Sequence, residues 1–195
     1  MIQFLARCVL GGVLLYLSGC AGVIVGGAGS AALMAQDERT PGSQVEDQTI
    51  ELNAYALLKA ELEIKEQTHL SVTSYNQIVL LTGQAPSQEL IDLAIQIVAK
   101  IDNVKHIHNE IALAAPSSLT SRTSDGLLTA KVKSALFANA ETDFLRIKVV
   151  TETGTVFLMG IVSESEGAIA AEVTSKVGGV QKVVKLFEYR QLDPS

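Results

Sequence analysis

The chain has no tryptophan, and its 5 phenylalanines and 4 tyrosines bring aromatics to only 5% of 195 residues. Its 2 cysteines, Cys8 and Cys20, both lie near the N-terminus. The body of the chain therefore cannot cross-link itself, and packing must stabilise it. Positive charge is also scarce: 15 Lys and Arg stand against 21 Asp and Glu. Residues 46–115 carry 4 basic and 10 acidic side chains, and residues 121–195 carry 9 of each. Nucleic acid needs a basic patch, so it is excluded as the expected partner. No apolar run is long enough to cross a bilayer. Catalytic signatures are missing too. Serines and acids are plentiful, but no nucleophile elbow or paired histidine accompanies them, so no enzyme is expected. Gly27-Ala28-Gly29 follows no strand and sits in no βαβ unit, which removes a nucleotide-binding turn. His106 and His108 alternate on a predicted strand and share one face, but no third metal donor lies near. Their counterparts further on are Lys182 and Val184, so no metal site is expected.

What the chain does have begins at its N-terminus. Residues 1–19 carry Arg7 as their only charge, an apolar stretch from Cys8 to Leu17 and small residues before Cys20. This is the pattern of a secretory signal peptide. Leu17-Ser18-Gly19-Cys20 resembles the lipobox of bacterial lipoproteins. The resemblance implies that the Cys20 thiol receives a diacylglycerol, that cleavage precedes the cysteine, and that the freed amine is acylated. At about 0.8 kcal/mol per buried CH₂, two or three such chains anchor a protein permanently. No other bound group is expected. Residues 20–45, rich in Gly, Ala and Val and punctuated by Pro41-Gly42-Ser43, read as a flexible tether.

Beyond the tether the pattern is periodic. Asp47-Gln48-Thr49 is suited to cap a helix with apolar positions at Ile50, Ala54, Leu57 and Leu58. Leu70–Tyr75 alternates as a half-buried strand, Asn76-Gln77 makes a turn, and Ile78–Thr82 forms a partner strand ended by Gly83. Ser87 opens an amphipathic helix through Ile101, and a strand over Val104–Leu113 closes the unit. Residues 116–123 lie in a polar, Ser-bearing linker. The order then recurs. Leu127, Leu128, Val132, Ala135 and Leu136 mark a helix, Ile147–Thr151 a strand, Thr153-Gly154 a turn and Val156–Met159 its partner, ended by Gly160. Ser163 caps the next helix, and Val180–Tyr189 is the last strand. Val72–Gly83 laid over Val149–Gly160 puts both glycines at the same step. Such a long period fits one small domain per copy rather than a solenoid. The expected fold is α+β: two tandem α-β-β-α-β domains, over residues 46–115 and 124–195, each with two helices on a three-stranded sheet. Gly83 and Gly160 are expected to be structural, at positions where a side chain would clash.

Each copy resembles a BON domain, through the hairpin ending in glycine (Gly83, Gly160), the following helix and the valine-led strand (Val104, Val180). With the lipobox, the pair is similar to the dual BON-domain lipoproteins of the Gram-negative outer membrane. Ala21, rather than aspartate, follows the cysteine, as in similar lipoproteins that are forwarded to that membrane. The resemblance implies a non-enzymatic role in envelope integrity, domains facing the periplasm, anionic phospholipid bound by the second domain, and gathering at division sites. Its alternative is an adaptor that docks the outer-membrane protein assembly machinery through the acidic first domain or a sheet edge. The helix opening the second copy offers Leu127, Leu128 and Phe137 beside Lys131 and Lys133, apolar groups for acyl chains and ammonium groups for headgroups. Members of the family carry a tryptophan where this chain has Leu127.

Overall fold

The computed structural model describes residues 39–190, which fall in one compact unit. The signal peptide, Cys20 and most of the tether lie outside the described residues. The first helix, α1, is Pro41–Ala60, and a short α2 follows at Leu62–Gln67. Strands β1 (His69–Tyr75) and β2 (Ile78–Ala85) form a hairpin, α3 is Gln88–Val98, and β3 is His106–Leu113. The second domain repeats this with α4 (Leu119–Ala138), a 3-10 turn at Phe144–Arg146, β4 (Ile147–Glu152), β5 (Thr155–Val162), α5 (Glu164–Ser175) and β6 (Lys182–Tyr189). In each sheet the hairpin is antiparallel and the last strand pairs parallel to the middle one, giving the orders β1-β2-β3 and β4-β5-β6. A parallel neighbour needs a crossover, and α3 and α5 supply it.

Several boundaries differ from the sequence expectation: β3 and β6 begin two residues after Val104 and Val180, α3 ends at Val98 rather than Ile101, and α2 was not expected. Helix α1 begins six residues before Asp47, because Thr40 accepts a hydrogen bond from Ser43 N at 3.1 Å and Pro41 takes the first helical position, where its missing N–H costs nothing. Residues 41–45 are thus helix rather than tether. Ser118 likewise caps α4 through Ser121 N at 3.2 Å, so most of the expected linker is the helix's first turn. Neither glycine ends its strand: Gly83 and Gly160 lie inside β2 and β5.

Asp47, expected as a cap, has a different task. It is 2% exposed and accepts from Asn76 N (2.8 Å), Gln77 N (2.7 Å) and Ser74 Oγ (2.6 Å), while Arg39 donates to it at 2.7 Å. Asp125 of α4 does the same in the second domain, accepting from Thr153 N and Gly154 N at 2.9 Å each. Both turns have two consecutive residues at positive φ, Asn76-Gln77 and Thr153-Gly154, as a two-residue type I′ hairpin requires. These turn N–H groups are buried or partly buried, so the carboxylates supply the partners that such groups need.

Each domain has a core between its helices and one face of its sheet. Ile50, Ala54, Leu58, Ile91 and Val98 meet Val79 and Leu81 in the first. In the second, Leu128, Val132 and Leu136 meet Val156 and Leu158. The other faces of the two sheets pack on each other through Tyr75 and Leu80 from one domain and Phe157 and Met159 from the other. The result is four layers, helices outside and two sheets within. Polar contacts edge this seam: Gln84 Nε2 to Glu152 at 2.6 Å, Asn76 Nδ2 to Glu188 at 2.9 Å, and Lys148 Nζ to Glu51 at 2.8 Å and to Ser74 O at 3.1 Å.

Gly83 shows why its position excludes a side chain. Its φ is +116°, and a Cβ there would fall 1.9 Å from the His69 carbonyl oxygen. At Gly160 a Cβ would fall 2.5 Å from Arg146 O, whereas Gly178 has nothing within 4 Å. Gly83→Ala is expected to lower stability by more than about 2 kcal/mol, while Gly178→Ala leaves it nearly unchanged. Thermal melts of the two variants check this, and equal midpoints would contradict it.

Candidate membrane interface

Helix α4 has one buried stripe, Asp125, Leu128, Val132 and Leu136, set by residues recurring at three and four along a helix. Leu128 is 7% exposed and belongs to the second core, so it leaves the expected phospholipid-binding set. The physical reason is its spacing of four from Val132, which points it into the second core rather than at solvent. The remaining members are outside. Leu127 is 63% exposed and Phe137 69%, and Lys131 and Lys133 are both exposed. At about 100° per residue, Leu127 and Phe137 fall on the outward arc and the two lysines fall on its opposite flanks. An apolar strip bordered on each side by an ammonium group is the result. Leu119, on the same arc as Phe137, is exposed as well. Sequence reasoning had placed it in the linker, although Ser118 and Ser121 carried the signal of a helix start.

Two cavities border the helix. On the Lys131 side one of about 380 Å³ is lined by Ser121, Asp125, Leu127, Leu128, Lys131 and Gln181, among others. On the Lys133 side one of about 300 Å³ lies at the seam between the domains. Phe137 is held edge-on to Phe144, with ring centroids 4.9 Å apart, and Phe144 packs on the second core. That contact fixes an otherwise exposed ring.

The first domain presents exposed apolar side chains that sequence reasoning passed over, Val45, Leu52 and Tyr55 on α1 and Leu62 on α2, and Leu57, expected on the apolar face with Ile50, Ala54 and Leu58, is exposed as well. A cavity of about 150 Å³ beside them is lined by Tyr55, Leu58, Ile64, Leu70 and Val72. Periodicity signalled only the buried side of α1.

The histidines stand apart from both surfaces. His106 and His108 share a face of β3, with rings 4.5 Å apart and nearly perpendicular. Among the described residues no three His, Cys, Asp or Glu side chains converge as a metal centre would require. Burial lowers the pKa of His108, the neighbouring His106 lowers it further, and Glu110 opposes both. His69 is lowered by burial and by Arg122 and Lys59. Glu166 is held below the usual carboxylate value mainly by the Ser163 N–H, within a capping box, and also by Arg190.

With the fold and this surface in view, the class is defined: the BON domain matches residues 46–115 and 124–191, and the chain belongs to that family, with two copies in tandem. Among its relatives is the outer membrane lipoprotein DolP of Haemophilus influenzae, 35% identical over 93% of this chain and 94% of that one. A 21 kDa hemolysin of Actinobacillus pleuropneumoniae is 37% identical over 80% of each chain. The osmotically-inducible protein Y of Escherichia coli is 26% identical over 73% of this chain and 72% of its own.

The lowered histidines predict a pH dependence. Each binds a proton less readily folded than unfolded, so its contribution is complete above the usual histidine value of 6.5 and is lost as the pH falls through the folded value. The melting temperature is therefore expected to fall between pH 7.5 and 5.0. His69→Asn with His108→Asn should flatten that decline, and an unchanged slope in the double variant would contradict it.

Proposed function

We propose that the protein is a lipid-anchored component of the outer membrane, facing the periplasm, that binds anionic phospholipid through α4 and supports envelope integrity, including at division sites. The observation that carries this reading is the outward strip of α4, Leu127 and Phe137 between Lys131 and Lys133. Apolar side chains there enter the acyl boundary while the lysine stems lie along it and their ammonium groups meet phosphate. The lipobox-like Leu17-Ser18-Gly19-Cys20 supports the anchor, and the printed name of the Haemophilus influenzae relative supports the location. Among the described residues no helix is long and apolar enough to cross a membrane. Acylation at Cys20 makes the second contact intramolecular, so a weak headgroup site suffices. Leu127 in place of an interfacial aromatic keeps that site weak. The role is one of binding rather than catalysis.

A second reading is favoured by the exposed apolar face of α1, which fits a protein partner such as the outer-membrane assembly machinery better than a headgroup. The domain pair starting at Asp37 serves for a test, since all three apolar clusters lie within it. It should float with phosphatidylglycerol vesicles and much less with phosphatidylcholine. Leu127→Glu with Lys131→Glu should weaken that binding at least about tenfold. An adaptor would show no headgroup preference.

A further inference from the structure

The cavity at the seam has a composition unlike the others. Its walls are apolar: the Tyr75 ring from the first domain, and Phe144, Leu145 and Ile147 from the second. Its remaining lining among the described residues is three cations, Arg39, Lys133 and Lys148. They arrive from three separate places, ahead of α1, on α4 and at the start of β4, and only the docking of one sheet on the other brings them together.

Two of these cations are held in place. The Arg39 guanidinium lies 4.1 Å from the centroid of the Tyr75 ring and donates to Asp47, the same carboxylate that clamps the first hairpin turn. Lys148 donates to Glu51 and to Ser74 O, which occupies two of its three N–H groups and aims the third elsewhere. Lys133 has no hydrogen bond or ion pair among the described residues. Asp47 and Glu51, which pair with Arg39 and Lys148, are not among the described residues that line the cavity, and Arg39, Lys133 and Lys148 are. The Tyr75 hydroxyl is turned away toward Arg146 O at 3.2 Å and leaves the ring as wall.

We propose that this cleft receives the phosphate of an anionic phospholipid, with Lys133, Lys148 and Arg39 around the headgroup and the first acyl carbons on Phe144 and Leu145. The inference rests on the lipid-binding role of α4 and adds to it a headgroup site made by both domains. Continuity favours a lipid over a soluble anion: Phe144 in the cleft wall touches Phe137 on the exposed strip of α4, so one apolar surface runs from the helix face into the cleft. A fixed cluster of donors around one phosphate binds it more selectively than lysines scattered on a surface.

The test uses the domain pair starting at Asp37 with phosphatidylglycerol vesicles, phosphatidylcholine vesicles and inorganic phosphate as probes. Lys133→Gln and Lys148→Gln are each expected to lose about fivefold in affinity for phosphatidylglycerol, as about 1 kcal/mol per headgroup contact implies. Lys148→Arg should restore it. Lys176→Gln, on the far helix α5 and paired with Glu172, is the control for net charge and should change it less than twofold. Thermal melts confirm that the variants are folded. Phosphatidylglycerol micelles should also shift the Arg39 side-chain NMR signal, a readout that needs no substitution. Wild-type affinity in Lys148→Gln, or an unmoved Arg39 signal, would overturn the cleft while leaving α4 as the contact. Inorganic phosphate that displaces the protein from vesicles and moves the same signals would overturn the lipid as its ligand. If the unsubstituted protein shows no preference for phosphatidylglycerol, the cleft and the α4 reading fall together.

Discussion

A three-stranded sheet has two faces, and the helices of each domain cover one. What the rest of this structure depends on is how the second face is removed from water. Leu80 and Tyr75 on one sheet and Phe157 and Met159 on the other are large and almost fully buried, and they cover each other. Neither domain is complete as a solvent-facing object without its neighbour. At roughly 1.5–3 kcal/mol per buried large side chain, losing this layer would consume much of a small domain's stability. The same packing sets the seam cleft, because Arg39 and Tyr75 are brought to Lys133 and Lys148 only through it.

Much of the fold was legible in the sequence. The repeat of strand, turn, strand and glycine is local and periodic, and both copies carry it. The continuous runs Ile78-Val79-Leu80-Leu81 and Val156-Phe157-Leu158-Met159 also contained the seam, since a strand buried on both faces does not alternate. What could not be read was anything fixed by distant partners. Asp47 looked like a helix cap because its ligands, the turn amides, lie some 30 positions on. Pro41-Gly42-Ser43 is compatible with a loop or a first helical turn, and docking of the helix decides.

The candidate site divides along the same line. Leu127, Lys131, Lys133 and Phe137 were identifiable from residue type and helical phase, and they lie outside. Leu128 was assigned with them although its spacing from Val132 and Leu136 made it core. The strip on α4 is a property of one helix and could be read from it. The cleft belongs to the assembly of two domains, and no window of sequence contains it. Electrostatics follow suit: the first domain's acidic balance is a bulk property, whereas Asp47 and Glu51 act as fixed anions that orient two cations.

The layered order has a consequence for where the first domain stands. The helices of the two domains form the outer layers, with the two sheets between them. Arg39, two residues ahead of α1, shares the seam cleft with Lys133 of α4, so the start of the first domain's helix layer stays within side-chain reach of α4. Val45, Leu52 and Tyr55 stay exposed on the remainder of α1. On the proposed reading, one molecule would meet lipid through α4 and the seam cleft and still leave the apolar side chains of α1 uncovered.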